Sequence, residues 1–370
     1  MKEKQMKKMR LLVFILVGVL LVVAPLLGAC SGEAEEPEPT EPTEPTEPEE
    51  PEETEVIELT YGSILPSTEF GSISDLAWIE RIEEETNGRV HITPYWGGTL
   101  INPRASVTDL RERVADIAFI VPSFEPGTQF YIHDALEIML YASPTPEIAV
   151  QVYKELSGKF PEISAEFAGL KVLGMATPLC EQLLTVKPVR SLEDLRGLSI
   201  KSTPTWAPVY ETLEAELVAI PASEVYINLQ KGLLDGCQLP LTNFYTANLA
   251  EVVKYTTDLE IVRLAGAVVK AMNMDAWNSL PPDIQQVFDD NVDWWTQKSL
   301  EDTEIINQAG FDRAEEMGVE FIKLPPEDLS ELYEIIDTVS AEKAAELDAM
   351  GLPGTEILEE IHRLIEQYSE

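Results

Sequence analysis

Strand and helix patterns alternate along this chain, which predicts an α/β protein built on parallel sheets. The clearest stretch runs from Gly197 to Pro240, GLSIKSTPTWAPVYETLEAELVAIPASEVYINLQKGLLDGCQLP. Leu198 to Ser202 reads as a short strand, a Ser-Thr-Pro turn follows, and a helical pattern runs from about Trp206 to Glu216. Leu217 to Ile220 is a second strand-like run, and Ser223-Glu224 offers an N-cap for a helix over Val225 to Lys231. Strand, helix and strand in so short a span describe a βαβ crossover, which joins parallel neighbours. A second strand-helix-strand unit lies between Glu58 and Val121. The body of the chain, about 315 residues, is long enough for two domains or one large one.

Before that body stand two segments of different composition. Lys2, Lys4, Lys7, Lys8 and Arg10 precede an uncharged apolar run, Leu11 to Leu27, and Leu27-Gly28-Ala29-Cys30 closes it with small residues before a cysteine. This order is that of an export signal with lipid attachment at Cys30, giving residues 1–30 as a lipoprotein signal peptide. An uncleaved helical anchor is the other reading of the same run. Either one leaves the body on the outer face of the cytoplasmic membrane. Residues 31–55 are rich in Glu, Pro and Thr and hold no Lys or Arg. Such a segment has little to bury and repels itself, so it is expected to be a disordered tether.

The chain carries a formal charge of −40, and most of it belongs to the body. Nucleic acid and anionic membrane surfaces are poor partners for such a field. Cys180 and Cys237 are the cysteines of the body, and export permits a bridge between them; buried free thiols are the simpler expectation. His91, His133 and His362 are scattered without metal-binding spacing.

In chain order, Glu58 to Ile64 reads as the first strand, and the Pro66-Ser67-Thr68 turn leads into an amphipathic helix from about Ser72 to Thr86. Asn87-Gly88 suits the left-handed end of that helix. Arg89 to Tyr95 alternates as a strand, Gly97-Gly98 makes a turn, and a helix around Ser106 to Arg113 precedes the apolar strand Ile117 to Val121. The loop Val121 to Gly127, just past a strand end, is a place for ligand contacts, with Phe124 and Glu125 as candidates. Glu147 to Lys154 and Glu162 to Ala168 read as helical, and Lys171 to Ala176 as a strand. The following stretch, Thr177 to Lys187, reads as a crossing between two lobes. Thr242 to Glu251 reads as helical, and Val262 to Asn273 as a buried strand pair or one long strand. Pro281-Pro282-Asp283 opens a helix expected to continue to about Met317, long enough to brace two lobes. Glu320 to Leu324 is a strand, and the rest of the chain is amphipathic helix.

Several of these pieces resemble one family. Glu83 to Val90 followed by Gly97-Gly98-Thr99-Leu100, the run Ser191 to Leu198, and Ser223-Glu224-Val225-Tyr226 with Leu229 to Gly232 and Asp235-Gly236 are the first of them. Asn273-Met274-Asp275-Ala276-Trp277 with Leu280-Pro281 completes the set. In order and spacing they resemble the substrate-binding subunit of tripartite ATP-independent periplasmic (TRAP) transporters, the DctP type. The resemblance implies a two-lobed periplasmic-binding-protein-like α/β fold with a hinge and a long helix spanning both lobes. Lobe I is expected over 56–178 and about 263–305. Lobe II is expected over 179–262 and about 306–370, including the C-terminal helices. The resemblance further implies capture of a small organic solute, most often a carboxylate, and its delivery to TRAP permease membrane subunits.

Three positions depart from the family pattern. The arginine that usually ends the "GlkiR" strand falls on Lys201, a point charge without the two-pronged pairing of a guanidinium. A second arginine, found in members that bind sialic acid, falls on Glu181, and their asparagine falls on Leu239. Three readings of the cleft stay open. In the first, Lys201 holds a carboxylate by charge, and Glu181 pairs with it or with a ligand amine or hydroxyl. In the second, the ligand is neutral or cationic, Trp206, Phe124 and Phe244 supply apolar area, and Gln238 and Asn243 fix orientation. In the third, Glu181, Gln182 and Gln238 give oxygens to a bound cation. No cofactor is otherwise expected.

A binding protein is therefore the expected class, and not an enzyme. A secreted hydrolase, the alternative, wants a nucleophile with its base or a tuned carboxylate pair, and the chain holds no Gly-x-Ser-x-Gly elbow, no metal-spaced histidines and no phosphate loop. A surface adhesion module fits the tether but not the two-lobed pattern.

Overall fold

A computed structural model describes residues 56–125, 128–175, 179–220, 222–263 and 269–369. The leader with Cys30, the tether, Pro126-Gly127 and Thr177-Pro178 lie outside the described residues.

The first half of the body contains β1 (Ile57–Ser63), α1 (Phe70–Glu85), β2 (Val90–Tyr95), α2 (Ser106–Arg111) and β3 (Ile117–Ile120). It continues with α3 (Tyr131–Met139), α4 (Pro146–Lys159), α5 (Pro161–Ala165) and β4 (Leu170–Met175). The next elements are β5 (Leu179–Thr185), β6 (Ser199–Lys201), α6 (Ala207–Thr212), β7 (Glu216–Val218), α7 (Ala222–Gln230), β8 (Gly236–Pro240), α8 (Thr242–Thr246) and β9 (Tyr255–Arg263). Then come β10 (Val269–Asn273), α9 (Met274–Ser279), α10 (Pro282–Asp290), α11 (Val292–Glu316), β11 (Glu320–Lys323), α12 (Pro326–Ala349) and α13 (Gly354–Ser369).

These strands form two mixed sheets. One is ordered β2-β1-β3-β10-β4 and the other β11-β9-β5-β8-β6-β7. Both expected crossover units are present as parallel pairs, β1 with β2 and β3, and β6 with β7 and β8. The stretch Val262 to Asn273 is two strands, and they belong to different sheets: β9 pairs antiparallel with β5, while β10 runs antiparallel between β3 and β4.

The registers place the passages between sheets at one kind of edge. Val269 lies opposite both Ile120 and Met175, so β4 ends and β10 begins where the parallel strand β3 finishes. In the other sheet Glu181 lies opposite Pro240 at the end of β8 and opposite Ile261 near the end of β9. The chain thus goes from carboxyl edge to carboxyl edge each time. Only three residues separate β4 from β5, which limits Met175 and Leu179 to about 14 Å.

Helix ends follow local chemistry. Asn87 and Gly88 take positive φ, 53° and 73°, as the sequence predicts for the end of α1. The long helix expected from Pro281 to Met317 is instead two helices, divided at Asn291. That residue is buried; its Nδ2 donates to Glu85 Oε2 at 2.6 Å and to the Val287 carbonyl at 2.9 Å, and its Oδ1 accepts from Arg81. Bonds to α1 hold the break. The helical stretch expected over Thr242 to Glu251 is also interrupted, because Asn248 turns left-handed at φ 53° between α8 and a short 3-10 turn over Leu249–Glu251.

Even after the break, α11 has 25 residues, about 37 Å of helix. Near its start Trp295 joins the core that covers β1, α1 and α10, with Tyr61, Trp78 and Phe288. Near its end Ala314 joins the core of the second sheet, with Leu184, Cys237, Leu239 and Phe244. Two glycines permit these close approaches. A Cβ on Gly174 of β4 would stand 2.2 Å from the Trp295 ring, and one on Gly310 would stand 2.1 Å from the Leu241 carbonyl oxygen.

The opposite face of the second sheet, with Leu183, Ile200 and Ile261, is covered by α3, α4, α6, α12 and α13. Helices α3 to α5 lie within the 56–178 segment, yet Ile132, Leu136, Val152 and Ile163 share this core with the C-terminal helices. Helix α3 is not among the elements expected from sequence.

Cys180 is exposed, Cys237 is buried, and both are free thiols. Cys237 faces Leu184 across the β5–β8 pair, four residues along β5 from Cys180. At about 3.3 Å per residue that is roughly 13 Å, beyond disulfide reach.

Candidate functional site

The carboxyl edge of the second sheet gathers most of the polar residues singled out in the sequence. Lys201 is the last residue of β6, in register with Cys237 of β8, and is only 5% exposed. Glu181, on β5, has no exposure. The two act oppositely on the Cys237 thiol between them: burial pushes it up to about 12, Lys201 pulls it down and Glu181 adds to the rise. Both charges therefore lie within electrostatic reach of one sulfur.

The residues after Lys201 tie this strand end to its neighbours. Ser202 Oγ and the Tyr210 hydroxyl each donate to Gln238 Oε1 at 2.9 Å. The Gln238 side chain is fully buried, and among the described residues its Nε2 has no hydrogen-bond partner. The same holds for Nε1 of Trp206, which is 1% exposed. Buried donors without acceptors are uncommon in folded proteins and mark places where another oxygen belongs. Thr203, in turn, donates its hydroxyl hydrogen to the carboxylate of Glu137, a buried residue of α3.

Other predicted residues sit differently. Strand alternation sends Gln182 to the face opposite Glu181, where its Nε2 donates to Asp258 Oδ1 at 3.1 Å. The three oxygens of the cation reading are thus not brought together, and Gln238 Oε1 already accepts from two hydroxyls. Among the described residues no three His, Cys, Asp or Glu side chains are grouped to hold a metal. Phe244 is fully buried in the core with Val225, Leu229 and Ala314. Asn243 is half-buried and donates to Thr242 Oγ1 at 3.4 Å. Phe124 is exposed. Glu125 is engaged at the start of α2, where its carboxylate accepts from the Val107 N–H at 2.9 Å, from the Thr108 N–H at 3.3 Å and from the Thr108 hydroxyl. Its role there is that of a helix cap.

Three polar groups were not singled out from sequence. Glu137 sits inside the apolar run of α3, and an acidic residue in such a run was the available clue. Glu69, before α1, has its carboxyl raised by burial, with the Thr246 hydroxyl of α8 acting to lower it. Asp134, also on α3, is pushed up to about 7 by burial and by the negative charges of Glu137 and Glu166, against the pull of Lys343. It lines a hollow of about 270 Å³ with Tyr131, Pro204, Lys343 and Met350. A larger hollow of about 410 Å³, lined by Tyr245, Asn248, Asp312 and Arg313, lies where α8 meets α11 and includes none of the strand-edge residues.

The family model for DctP, bacterial extracellular solute-binding protein family 7, matches residues 65–347. The C4-dicarboxylate-binding periplasmic protein DctP of Rhodobacter capsulatus is 25% identical over 282 residues, 73% of this chain and 81% of that protein. Among solved structures, a TRAP periplasmic solute binding protein from Desulfovibrio salexigens superposes with a TM-score of 0.70 at 25% identity, covering 84% of this chain and 96% of that one. In that crystal the C-terminus of a symmetry mate occupies the ligand binding site. A marine metagenome TRAP solute binding protein from an unidentified microbe, specific for aromatic acid ligands, gives a TM-score of 0.76 at 22% identity, covering 85% of this chain and all 100% of that one, a likeness of fold.

Proposed function

Because this chain belongs to bacterial extracellular solute-binding protein family 7, the DctP family of TRAP receptors, we propose that its two sheets are the cores of two lobes that close over a small carboxylate. Lobe I takes in 56–178 and about 263–305, and lobe II takes in 179–262 and about 306–370. A hinge joins the two lobes, and α11 braces both sides. The protein releases its solute to TRAP permease membrane subunits, and a lipid on Cys30 holds it at the outer face of the cytoplasmic membrane. It binds without converting its ligand.

The observation that carries the carboxylate reading is the set of donors at the β6–β8 edge. Lys201 supplies an ammonium, and Gln238 Nε2 and Trp206 Nε1 are buried donors without partners among the described residues. Buried donors of this kind recover their hydrogen bonds when a ligand oxygen arrives. The related proteins named above, one for C4-dicarboxylates and one for aromatic acids, support the same class.

Native mass spectrometry of freshly purified protein, followed by calorimetry with a panel of mono- and dicarboxylates, tests this. One saturable site per chain, with the solute recovered unchanged, is the expected result. Chemical conversion of the solute, or binding of neutral polyols in preference to every acid, would overturn it. The second reading, an amine-bearing ligand, draws support from Glu181, buried on the neighbouring strand.

A further inference from the structure

The two ends of the Gln238 amide have nearly the same shape, but one only accepts hydrogen bonds and the other only donates them. Two neighbours decide which end faces them. Ser202, the residue after β6, donates its hydroxyl to Oε1 at 2.9 Å, and the Tyr210 hydroxyl of α6 donates to the same oxygen at 2.9 Å. Together they occupy both lone pairs, and a half-turn of the amide would present both hydroxyls with a nitrogen that cannot accept. Gln238 has no exposed surface, and Ser202 and Tyr210 are 2% and 3% exposed, so water is not at hand to replace these bonds. Nε2 is thereby fixed as a donor on the side away from the two hydroxyls, and among the described residues it has no acceptor. Trp206 Nε1 is a second buried donor of this kind. Trp206 stands one helical turn before Tyr210, and both rings pack with Leu183, the β5 residue opposite Gln238. An indole N–H can never accept.

We infer that Tyr210 and Ser202 are positioning residues that set solute specificity: by locking Gln238 as a donor beside Trp206, they make the site demand two acceptor oxygens and reject a carboxamide of the same shape. A carboxylate offers an oxygen to each donor. A carboxamide must turn its own NH2 toward one of them, which leaves two buried donors facing each other. The two hydroxyls thus act on the solute through Gln238, without touching it. The inference rests on the reading of the β6–β8 edge as the solute site.

The test compares acids with their own amides by calorimetry at neutral pH: phenylacetate with phenylacetamide, 4-methylpentanoate with 4-methylpentanamide, and the acid retained in the native mass spectrum with its amide. An acid that binds the wild-type protein should do so about a hundredfold or more tightly than its amide. In Ser202→Ala/Tyr210→Phe the Gln238 amide is free to turn and offer Oε1 to the ligand NH2. The ratio should then shrink about tenfold or more, with part of the change appearing as a gain in amide affinity. Lys201 favours the acid in both proteins, so the change in ratio reports on Gln238. Structural damage alone would weaken acid and amide alike; an unmoved ratio overturns the inference and leaves the carboxylate reading standing. Equal binding of acid and amide by the wild-type protein overturns it without any variant. Should the double variant not fold, Tyr210→Phe, which keeps the ring, must still lower the ratio, and failure to do so counts equally against the inference. If Gln238→Leu binds the acid as tightly as wild type, or if no acid binds at all, the reading of this edge as a carboxylate site fails as well.

Discussion

The ammonium of Lys270 lies 2.8 Å from Oδ1 of Asp75, and neither side chain has any exposed surface. Nζ of Lys270 stands 3.7 Å from the centre of the Trp78 ring and 4.3 Å from that of Trp295. Trp295 Nε1 donates to Asp75 Oδ1 at 3.0 Å, and the Tyr61 hydroxyl donates to Oδ2. Burial pulls the ammonium of Lys270 down to about 8 against the field of Asp75, and burial with Asp75 pushes the Tyr61 phenol well above its ordinary range. A charge pair thus ties β10, α1 and α11 together inside aromatic walls.

Removing one partner of this pair should be worse than removing both. Lys270→Met leaves Asp75 buried without its cation and should cost about 3–5 kcal/mol. The double substitution Asp75→Asn with Lys270→Met should recover a large part of that loss. Urea unfolding of the two single variants and the double variant measures the coupling, and simple additivity would show that the pair does not act as a unit.

At the strand edge, Lys201→Ala should weaken a carboxylate solute more than about tenfold, whereas Lys201→Arg, which keeps the charge, should retain most of the affinity. Calorimetry with the solute identified by mass spectrometry is the check. Undiminished binding by the alanine variant would remove Lys201 from the site.

The two close approaches along α11 predict a steric penalty. Gly310→Ala drives a methyl against the Leu241 carbonyl oxygen, which is backbone, and Gly174→Ala drives one into the Trp295 ring. Each should lower stability by about 1–3 kcal/mol, the usual cost of overpacking, and the tighter backbone clash should make Gly310→Ala the worse. Denaturant midpoints decide, and a change near zero would mean the helix can shift freely.

Asp134 gives a pH dependence of defined sign. Its carboxyl is raised to about 7 in the fold, so the folded state holds the proton more tightly than the unfolded chain does. Stability from this group is therefore full below the ordinary carboxyl range, falls as pH rises toward 7, and stays at its lowest above that. Asp134→Asn should flatten this fall, leaving the melting temperature near wild type at pH 4 and raising it at pH 8. An identical pH profile for the two proteins would contradict the assignment.

Glu125→Ala should remove the cap of α2 and cost about 1 kcal/mol. Because the hydrogen bonds of its carboxylate among the described residues are to Val107 and Thr108, solute affinity should hardly change. A large loss of affinity at unchanged stability would return Glu125 to the ligand site.

How far these features were legible in the sequence depends on the range over which each is set. Asn87-Gly88 ends α1 as expected, since left-handed backbone at a helix end is a property of those two residues. The break at Asn291 was hidden, because the apolar spacing continues through it and the deciding bonds come from Arg81 and Glu85, about two hundred residues away in sequence. Helix α3 was hidden for another reason. It is only nine residues long, and its polar His133 and Glu137 are buried together with its apolar side chains, so polarity in the sequence does not mark its exposed side. Glu137 shared that concealment, and Phe244 suffered the converse: its place beside β8 suggested a ligand wall, and the packing of α8 put it in the core.

By itself the sequence determined the α/β class, the crossover units, and the location of Lys201 at a strand end, all set by periodicity and turn chemistry over ten or twenty residues. Only the tertiary structure decided that β10 inserts between β3 and β4, that Glu181 and Gln182 face opposite ways, and that Glu137 meets Thr203 across 66 residues of chain. Local patterns record whether a side chain is buried, but its partner is fixed by which distant segments pack together, and no single stretch of sequence contains that choice.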